Sequence, residues 1–242
     1  MAGCILAAAA PAAVADNVKF VTGSDYEPYA DADLPKGGMI PAIVRSAYET
    51  VPTNLETIDF TAWRRGYRAV KEGKYTGTFP YIHTDDREKD MYYSDPIYTI
   101  TLYPVMLRDD DTVVEKIVDL AGLTYCAPED YSPTETVKAM EKAGKVDAVR
   151  PYRMIDCARM LKRGRADFIP IQKPVIAAAA QEALGSADML RFPDVVLERN
   201  ALHAIFPRSV PGSKAARDTF NRALAKLKQN GTWQAIVNRY RR

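Results

Sequence analysis

The sequence has few metal-binding and redox-active side chains. Its 242 residues include two histidines and three cysteines, and none has the spacing of a zinc finger. An excess of one charge is also missing, because 33 Lys and Arg face 31 Asp and Glu, a formal net charge of +2. A nucleic-acid-binding protein needs a concentrated basic face. We therefore expect no metal site, no cofactor and no nucleic-acid partner.

Long hydrophobic runs are missing after residue 15, where no apolar stretch approaches the roughly 20 residues that cross a bilayer. Apolar residues make up 47% of the chain and charged residues 26%, which is the balance of a globular protein and excludes a disordered one. The length suits one large domain or two domains of about 100 to 120 residues each.

The first fifteen residues predict export. They carry no charge and are almost wholly small and apolar, and Ala13-Val14-Ala15 before Asp16 fits the small-x-small pattern of signal-peptide cleavage. We interpret residues 1–15 as a signal-peptide remnant and expect a periplasmic protein. No Lys or Arg precedes the apolar stretch, so two alternatives stay open: a disordered alanine-rich extension and a lipid attached to Cys4.

Two cysteines, Cys126 and Cys157, remain after the predicted cleavage point. An even number of cysteines in an oxidising compartment favours a disulfide. Cys126 ends a strand-like run, and Cys157 lies in the first turn of a predicted helix. We predict that they are bridged, with two buried free thiols as the alternative.

Short β-rich runs alternate with amphipathic helices along most of the chain, which indicates parallel-rich sheets covered by helices, the α/β class. Apolar periodicity predicts helices at 39–51, 62–72, 115–121, 134–143, 154–163 and 174–184. Strands are predicted at 18–22, 55–60 and 75–82, and near 123, 146, 168 and 190.

Two extended runs, 98–107 and 201–206, interrupt this alternation about a hundred residues apart. They suit two lobes joined by two strands, with the second lobe inserted into the first. Helices predicted at 214–228 and 233–240 have apolar stripes but no sheet of their own, so they should pack on the first lobe. We assign 16–103 and 207–242 to lobe 1 and 104–206 to lobe 2, with 1–15 outside both.

Several segments carry a family signature in one order along residues 18–240. They are YEPY at 26–29, Trp63, GKYTGTFPY at 73–81, TDDR at 84–87, YSDPIY at 93–98, GRAD at 164–167 and NGTW at 230–233. The chain thereby resembles the family 3 extracellular solute-binding proteins, the periplasmic receptors of amino-acid ABC importers. The resemblance implies a two-lobed type II periplasmic-binding-protein fold. It also implies a monomer that captures a small ligand between its lobes and delivers it to a membrane permease without catalysis.

The resemblance also implies a carboxylate site. Arg87 matches the arginine that grips a ligand carboxylate, for which a planar guanidinium offers two parallel hydrogen bonds. On the residues alone, Arg87 is equally a surface arginine paired with Asp85 or Asp86. The loop of Tyr131, Ser132 and Thr134 feeds a helix start that can bind an anion, although such a loop is more often a routine cap.

Aromatic side chains should form the walls of the same cleft. Tyr26, Tyr29, Trp63 and Tyr81 fall near strand ends or helix starts, where they can stack on flat or apolar ligand parts. About half of them are expected to be core residues instead.

Two departures from the family pattern bear on the ligand. Amino-acid receptors carry an aspartate after the G-R-x-D strand that pairs with the ligand's ammonium, and this chain has Gln172 there. An acidic residue is also missing from 38–42, which reads GMIPA. A neutral amide cannot compensate a buried ammonium. The pattern favours an organic acid, a modified amino acid or a larger aromatic anion.

Two other functions stay open. A dehydratase on this fold would need a carboxylate poised in the cleft, for which Glu27, Glu129 and Asp130 are the candidates, while His83 and His203 have no obvious partner. A sensor or accessory protein would instead bind a partner through its outer surface. Residues 206–242 contain nine Lys and Arg against one Asp, which favours a solvated helix face but also suits an acidic protein or a membrane surface.

Overall fold

The computed structural model describes residues 17–129, 131 and 134–240. The predicted export signal therefore lies outside the described residues. The helices are α1 (Met39–Tyr48), α2 (Trp63–Lys71), α3 (Asp85–Asp90), α4 (Glu135–Lys142), α5 (Met154–Lys162), α6 (Lys173–Leu184), α7 (Ser213–Gln229) and α8 (Thr232–Tyr240). The strands are β1 (Asn17–Thr22), β2 (Asn54–Phe60), β3 (Gly77–Ile82), β4 (Met91–Tyr93), β5 (Tyr98–Leu107), β6 (Thr124–Cys126), β7 (Asp147–Val149), β8 (Ile169–Ile171), β9 (Leu190–Arg191) and β10 (Glu198–Pro207).

The main sheet has the strand order β2-β1-β3-β10-β5-β8. β1 runs parallel to β2 and β3, whereas β10 is antiparallel to β3, β4 and β5. β6 and β7 form a second, parallel pair, which a bridge between Tyr125 and Phe168 connects to the start of β8. The predicted α/β class is confirmed, with antiparallel pairs wherever the long strands β5 and β10 take part.

The two extended runs of the sequence are β5 and β10, and they pair with each other. Their register runs from Glu198 opposite Leu102 to Leu202 opposite Tyr98. On one side lie β1–β4, α1–α3, α7 and α8, which we call the first lobe. On the other lie β6–β9 and α4–α6, the second lobe. The predicted residue bounds of the lobes stay a prediction.

Each lobe has an aromatic core. In the first lobe the buried Phe20 ring packs against Phe79, Phe206 and Phe220, at centroid distances of 5.6, 5.8 and 6.3 Å. Because Phe220 lies on α7, this cluster fixes the tail on the first lobe, as its apolar stripe predicts. In the second lobe the core is built around Tyr125.

Two local predictions were wrong, and two short elements were missed. The helix predicted at 115–121 is a short 3₁₀ turn, Ile117–Leu120. Its Asp119 carboxylate accepts hydrogen bonds from the backbone N–H groups of Glu115 and Lys116, and such local bonds compete with a longer helix. The first helix ends at Tyr48 rather than at residue 51, ahead of a proline. The segments α3 and β4 were not predicted at all.

Candidate functional site

A cavity lies between the lobes, and the long strands β5 and β10 contribute to its wall. Its volume is about 110 Å³. A single buried water molecule needs a volume of about 10 to 15 Å³. The cavity therefore has room for roughly seven to eleven water molecules. The lining residues come from both lobes: Tyr26, Trp63, Pro80, Tyr81, Ile82, Arg87, Ile100, Leu102, Cys126, Ala127, Pro128, Tyr131, Met154, Ile169, Pro170, Ile171, Gln172, Asn200 and Leu202.

Four aromatic side chains stand around this cavity. The Tyr26 ring meets Trp63 and Tyr131 edge-on, with centroid distances of 6.3 and 5.7 Å, and Trp63 meets Tyr81 at 6.0 Å. Edge-to-face contacts of this kind fix ring orientation. The structure thus brings together Tyr26, Trp63, Tyr81 and Tyr131, as the sequence predicts.

A glycine sets the position of Trp63. The indole Nε1 donates a hydrogen bond to the Ser24 carbonyl, 3.0 Å away, and the ring lies directly against Gly23. A Cβ at residue 23 would stand 2.2 Å from the indole Cε2, far inside van der Waals contact. Gly23 follows the strand predicted at 18–22, and no sequence pattern pointed to this contact.

We expect Gly23→Ala to displace Trp63 and to weaken ligand binding. Forcing a methyl group into a filled contact costs about 1 to 3 kcal/mol of stability. Intrinsic fluorescence measures the displacement in a Trp233→Phe background, since the chain has two tryptophans. Gly66→Ala is the matched control, because a Cβ there stays 3.3 Å or more from its neighbours. Unchanged Trp63 fluorescence in Gly23→Ala would contradict the assignment.

Arg87 lies in the short helix α3, beside the cavity. Thr84 caps the N-terminus of this helix, and its hydroxyl accepts the backbone N–H of Arg87. The guanidinium Nη1 donates to the Ile82 carbonyl at 3.2 Å, and its carbon stands 5.1 Å from the Tyr81 ring centre. Asp86, one of the two acidic neighbours considered as its partner, forms an ion pair with Lys89 at 2.8 Å.

Gln172 lies on the opposite side of the cavity, directly after β8 at the start of α6. Its side chain is 3% exposed, and its Nε2 donates to the Tyr26 hydroxyl at 3.0 Å. Its Oε1 is buried and has no hydrogen-bond partner in the part of the chain that the structure describes. Burial raises the pKa of Tyr26, so that hydroxyl is neutral at physiological pH.

Three further contacts bridge the lobes at the mouth of the cavity. The Tyr131 hydroxyl donates to the Asp25 carbonyl at 2.6 Å. The Asp25 carboxyl lies near the Met154 backbone in the first turn of α5, and burial raises the pKa of Asp25. An ion pair joins Arg64 to Glu129 at 3.8 Å. The structure therefore has a closed cleft, in which both lobes touch across the cavity.

Two predicted ligand residues do not line the cavity. Tyr29 is 4% exposed and packs behind Tyr26, at a centroid distance of 5.0 Å. Thr134 is the N-cap of α4, and its hydroxyl accepts the Val137 N–H at 3.1 Å. Ser132 lies outside the described residues.

Sequence reasoning missed the lining residues that the strands contribute. Pro80 and Ile82 come from β3, Ile100 and Leu102 from β5, and Asn200 from β10. The alternation of Ile100 and Leu102 along an extended run is a period-2 signal that places both on one face. Which face lies toward the cavity becomes clear only once β5 and β10 are paired.

The side chains considered for catalysis that the structure describes lie outside the cavity lining. Glu27 and Glu129 do not line the cavity, and Asp130 is not among the described residues. The histidines do have partners, contrary to the expectation: His83 Nε2 lies 2.9 Å from Glu88, and His203 Nδ1 lies 2.7 Å from the Ser94 carbonyl. The expected absence of a metal site stays a prediction.

The basic tail is largely tied to the chain's own groups. Arg208 and Lys228 donate to backbone carbonyls around β4, Lys226 donates to the Thr50 carbonyl, and Arg217 and Arg222 bond to Asp218 and Thr219. These contacts favour a structural role for the tail's charge over a dedicated acidic partner.

Cys126 and Cys157 form a disulfide with a Cα–Cα distance of 5.5 Å. Both residues are fully buried, and the bond ties β6 to α5. The predicted pairing is confirmed. Because Cys126 also lines the cavity, the bond fixes one wall of the site.

Comparison with known proteins gives a family and a fold. Residues 18–242 match the model of the bacterial extracellular solute-binding proteins, family 3. A mutant of the arginine-binding protein ArgBP from T. maritima is similar with a TM-score of 0.73 and 18% identity, over 93% of this chain and 95% of that one. The substrate-binding protein of an amino acid ABC transporter gives 0.71 and 19%, over 93% and 98%. The ancestral amino acid-binding protein AncCDT-1, a precursor of cyclohexadienyl dehydratase, gives 0.73 and 18%, over 93% and 95%.

At these identities the solved structures establish the two-lobed fold, which confirms the predicted architecture. None of the helices in the described part of the chain is long and apolar enough to cross a membrane.

Proposed function

Since the chain belongs to the bacterial extracellular solute-binding proteins of family 3, we propose that it captures a small carboxylate-bearing ligand between its lobes and delivers it to an ABC importer in the cell membrane. The proposed ligand class rests on one observation. Among the described residues that line the cavity, Arg87 is the only charged one. A single cation among aromatic and aliphatic walls suits a small organic anion.

The mechanism is closure around the ligand. Arg87 belongs to the first lobe and Gln172 to the second, so a ligand that contacts both stabilises the closed arrangement. Ligand binding shifts the equilibrium between open and closed states by the difference in its affinity for the two. The contacts of Tyr131 with Asp25 and of Gln172 with Tyr26 belong to the closed state.

Binding rather than catalysis is the activity that the cavity supports. General acid–base chemistry needs a group within hydrogen-bond reach of the reacting atom. Among the lining residues in the described part of the chain there is no carboxylate and no histidine. We therefore propose a transport receptor in preference to a dehydratase.

Mass spectrometry of small molecules released by denaturing the protein, purified from an oxidising compartment, tests this proposal. We expect a small organic acid, and we expect small-angle scattering to show a smaller radius of gyration when that acid is added to stripped protein. Deleting the gene should abolish uptake of the same acid. An unchanged scattering profile at saturating ligand, together with no released acid, would refute the proposal.

A further inference from the structure

The cavity wall includes a buried polar side chain that carries no charge. Gln172 is 3% exposed and lines the cavity opposite Arg87. Its Nε2 donates a hydrogen bond to the Tyr26 hydroxyl, and its Oε1 has no hydrogen-bond partner among the residues that the structure describes. A buried acceptor without a donor is unfavourable. The terminal amide torsion of glutamine is soft, so the amide can turn Oε1 toward a donor on a bound ligand, and this turn exchanges the Nε2 bond to Tyr26 for the bond to the ligand.

Two carboxylates close to Tyr26 in the sequence are committed to the protein itself. Asp25 faces the first turn of α5, and Asp31 accepts the backbone N–H groups of Asp25 and Asp33 at 2.7 and 2.9 Å. Neither lines the cavity. An ammonium enclosed here would face the cation Arg87 and the neutral Gln172, with no described carboxylate to compensate it, which is costly in a desolvated site.

A neutral hydroxyl has no such requirement. It donates one hydrogen bond to a carbonyl-type oxygen and accepts others, and Gln172 Oε1 is an oxygen of that type. We infer that the ligand is a small hydroxy acid, whose carboxylate binds Arg87 and whose hydroxyl donates to Gln172. The inference rests on the proposed function, because it specifies the ligand of the same cavity.

The inferred ligand also fits the space. A cavity of about 110 Å³ has room for roughly seven to eleven positions the size of a water molecule. The aromatic side chains Tyr26, Trp63 and Tyr131 then face the ligand's carbon skeleton. A 2-hydroxy acid with a short side chain meets this limit.

Matched pairs of ligands test the inference by calorimetry on the mature, disulfide-bonded protein. Lactate with alanine, malate with aspartate, and 3-phenyllactate with phenylalanine each differ only in a hydroxyl in place of an ammonium. We expect the hydroxy acid to bind at least tenfold more tightly than its partner in at least one pair. Equal or tighter binding of the amino acid in every pair that binds overturns the inference and leaves the proposed function intact.

The absence of binding in every pair would distinguish the hydroxy-acid inference from the proposed transport function. If no member of any pair binds at millimolar concentration, the hydroxy-acid inference is overturned, whereas the proposed function is still decided by the acid released on denaturation. A released acid that carries an ammonium next to its carboxylate would likewise overturn the inference alone.

Two variants of Gln172 locate the selectivity. Gln172→Glu keeps the side-chain shape and adds a charge, so the preferred hydroxy acid should lose at least tenfold in affinity and the matching amino acid should gain. Gln172→Met removes the amide without adding charge, so the ratio of the two affinities should move toward one without reversing. Circular dichroism confirms that each variant is folded. An unchanged ratio in folded Gln172→Glu, or in Gln172→Met, overturns the role of Gln172.

Discussion

Arg87→Ala should weaken ligand binding by roughly 30-fold to several thousand-fold. Removing one side of a desolvated, hydrogen-bonded charge pair typically costs about 2 to 5 kcal/mol of binding free energy. The substitution leaves the helix cap intact, because Thr84 accepts the backbone N–H of residue 87 and not its side chain. Calorimetry with the released ligand measures the loss directly.

The conservative replacement sharpens this prediction. Arg87→Lys keeps the charge but cannot reproduce the planar fork of a guanidinium, so it should recover only part of the affinity. Arg222→Ala is the control, since Arg222 is exposed on α7 and bonds to Thr219 far from the cavity. Its effect on affinity should stay below about 1 kcal/mol. Near-wild-type binding by Arg87→Ala would remove Arg87, and with it the carboxylate site, from the proposed function.

Removing the disulfide should destabilise the protein by about 3.7 kcal/mol. The bond closes a loop with a sequence separation of 31 residues between Cys126 and Cys157. In the chain-entropy account, a loop of this length restricts the unfolded chain by an amount between about 3 kcal/mol, for 15 residues, and about 4.7 kcal/mol, for 100 residues. Urea unfolding of the Cys126→Ala, Cys157→Ala double variant against the oxidised wild type measures the difference.

A reductant provides the internal control. Dithiothreitol should lower the unfolding midpoint of the wild type and leave that of the double variant unchanged. Because Cys126 lines the cavity, reduction should also weaken ligand binding. Recovery of both cysteines as free thiols by peptide mapping of unreduced protein, or a midpoint indifferent to reductant, would contradict the bond.

The order of the elements could be predicted from the sequence because it depends on local patterns. Apolar periods of about 3.6 and 2 residues separate helices from strands. Gly144 and Gly164, which end predicted helices, have φ values of 65° and 62°, the left-handed conformation that glycine adopts without strain. At Asp119, a short-range side-chain hydrogen bond competes with the longer helix that the apolar period predicts. The segment therefore forms a 3₁₀ turn instead of the predicted α-helix.

The candidate site could be predicted only in part. The aromatic residues Tyr26, Trp63 and Tyr81 and the cation Arg87 stood out through a family signature, and the cavity brings them together. Tyr29 stood out equally and lies in the core behind Tyr26. A tyrosine near a strand end matches the family signature whether its side chain points into the cleft or into the core. The sequence therefore could not distinguish a cavity tyrosine from a core tyrosine.

By itself, the sequence determined the alternation of strands and helices, the two long connecting runs and the attachment of the tail to the first lobe, and it favoured the pairing of Cys126 with Cys157 over two free thiols. Each depends on a local period, or on there being a single possible partner. The tertiary structure alone decided that Gly23 supports the Trp63 ring, that Tyr131 reaches Asp25 across 106 residues and that Gln172 reaches Tyr26 across 146. The physical reason is that a cleft is made of contacts between residues far apart in the chain, and their geometry depends on how β5 and β10 place one lobe against the other.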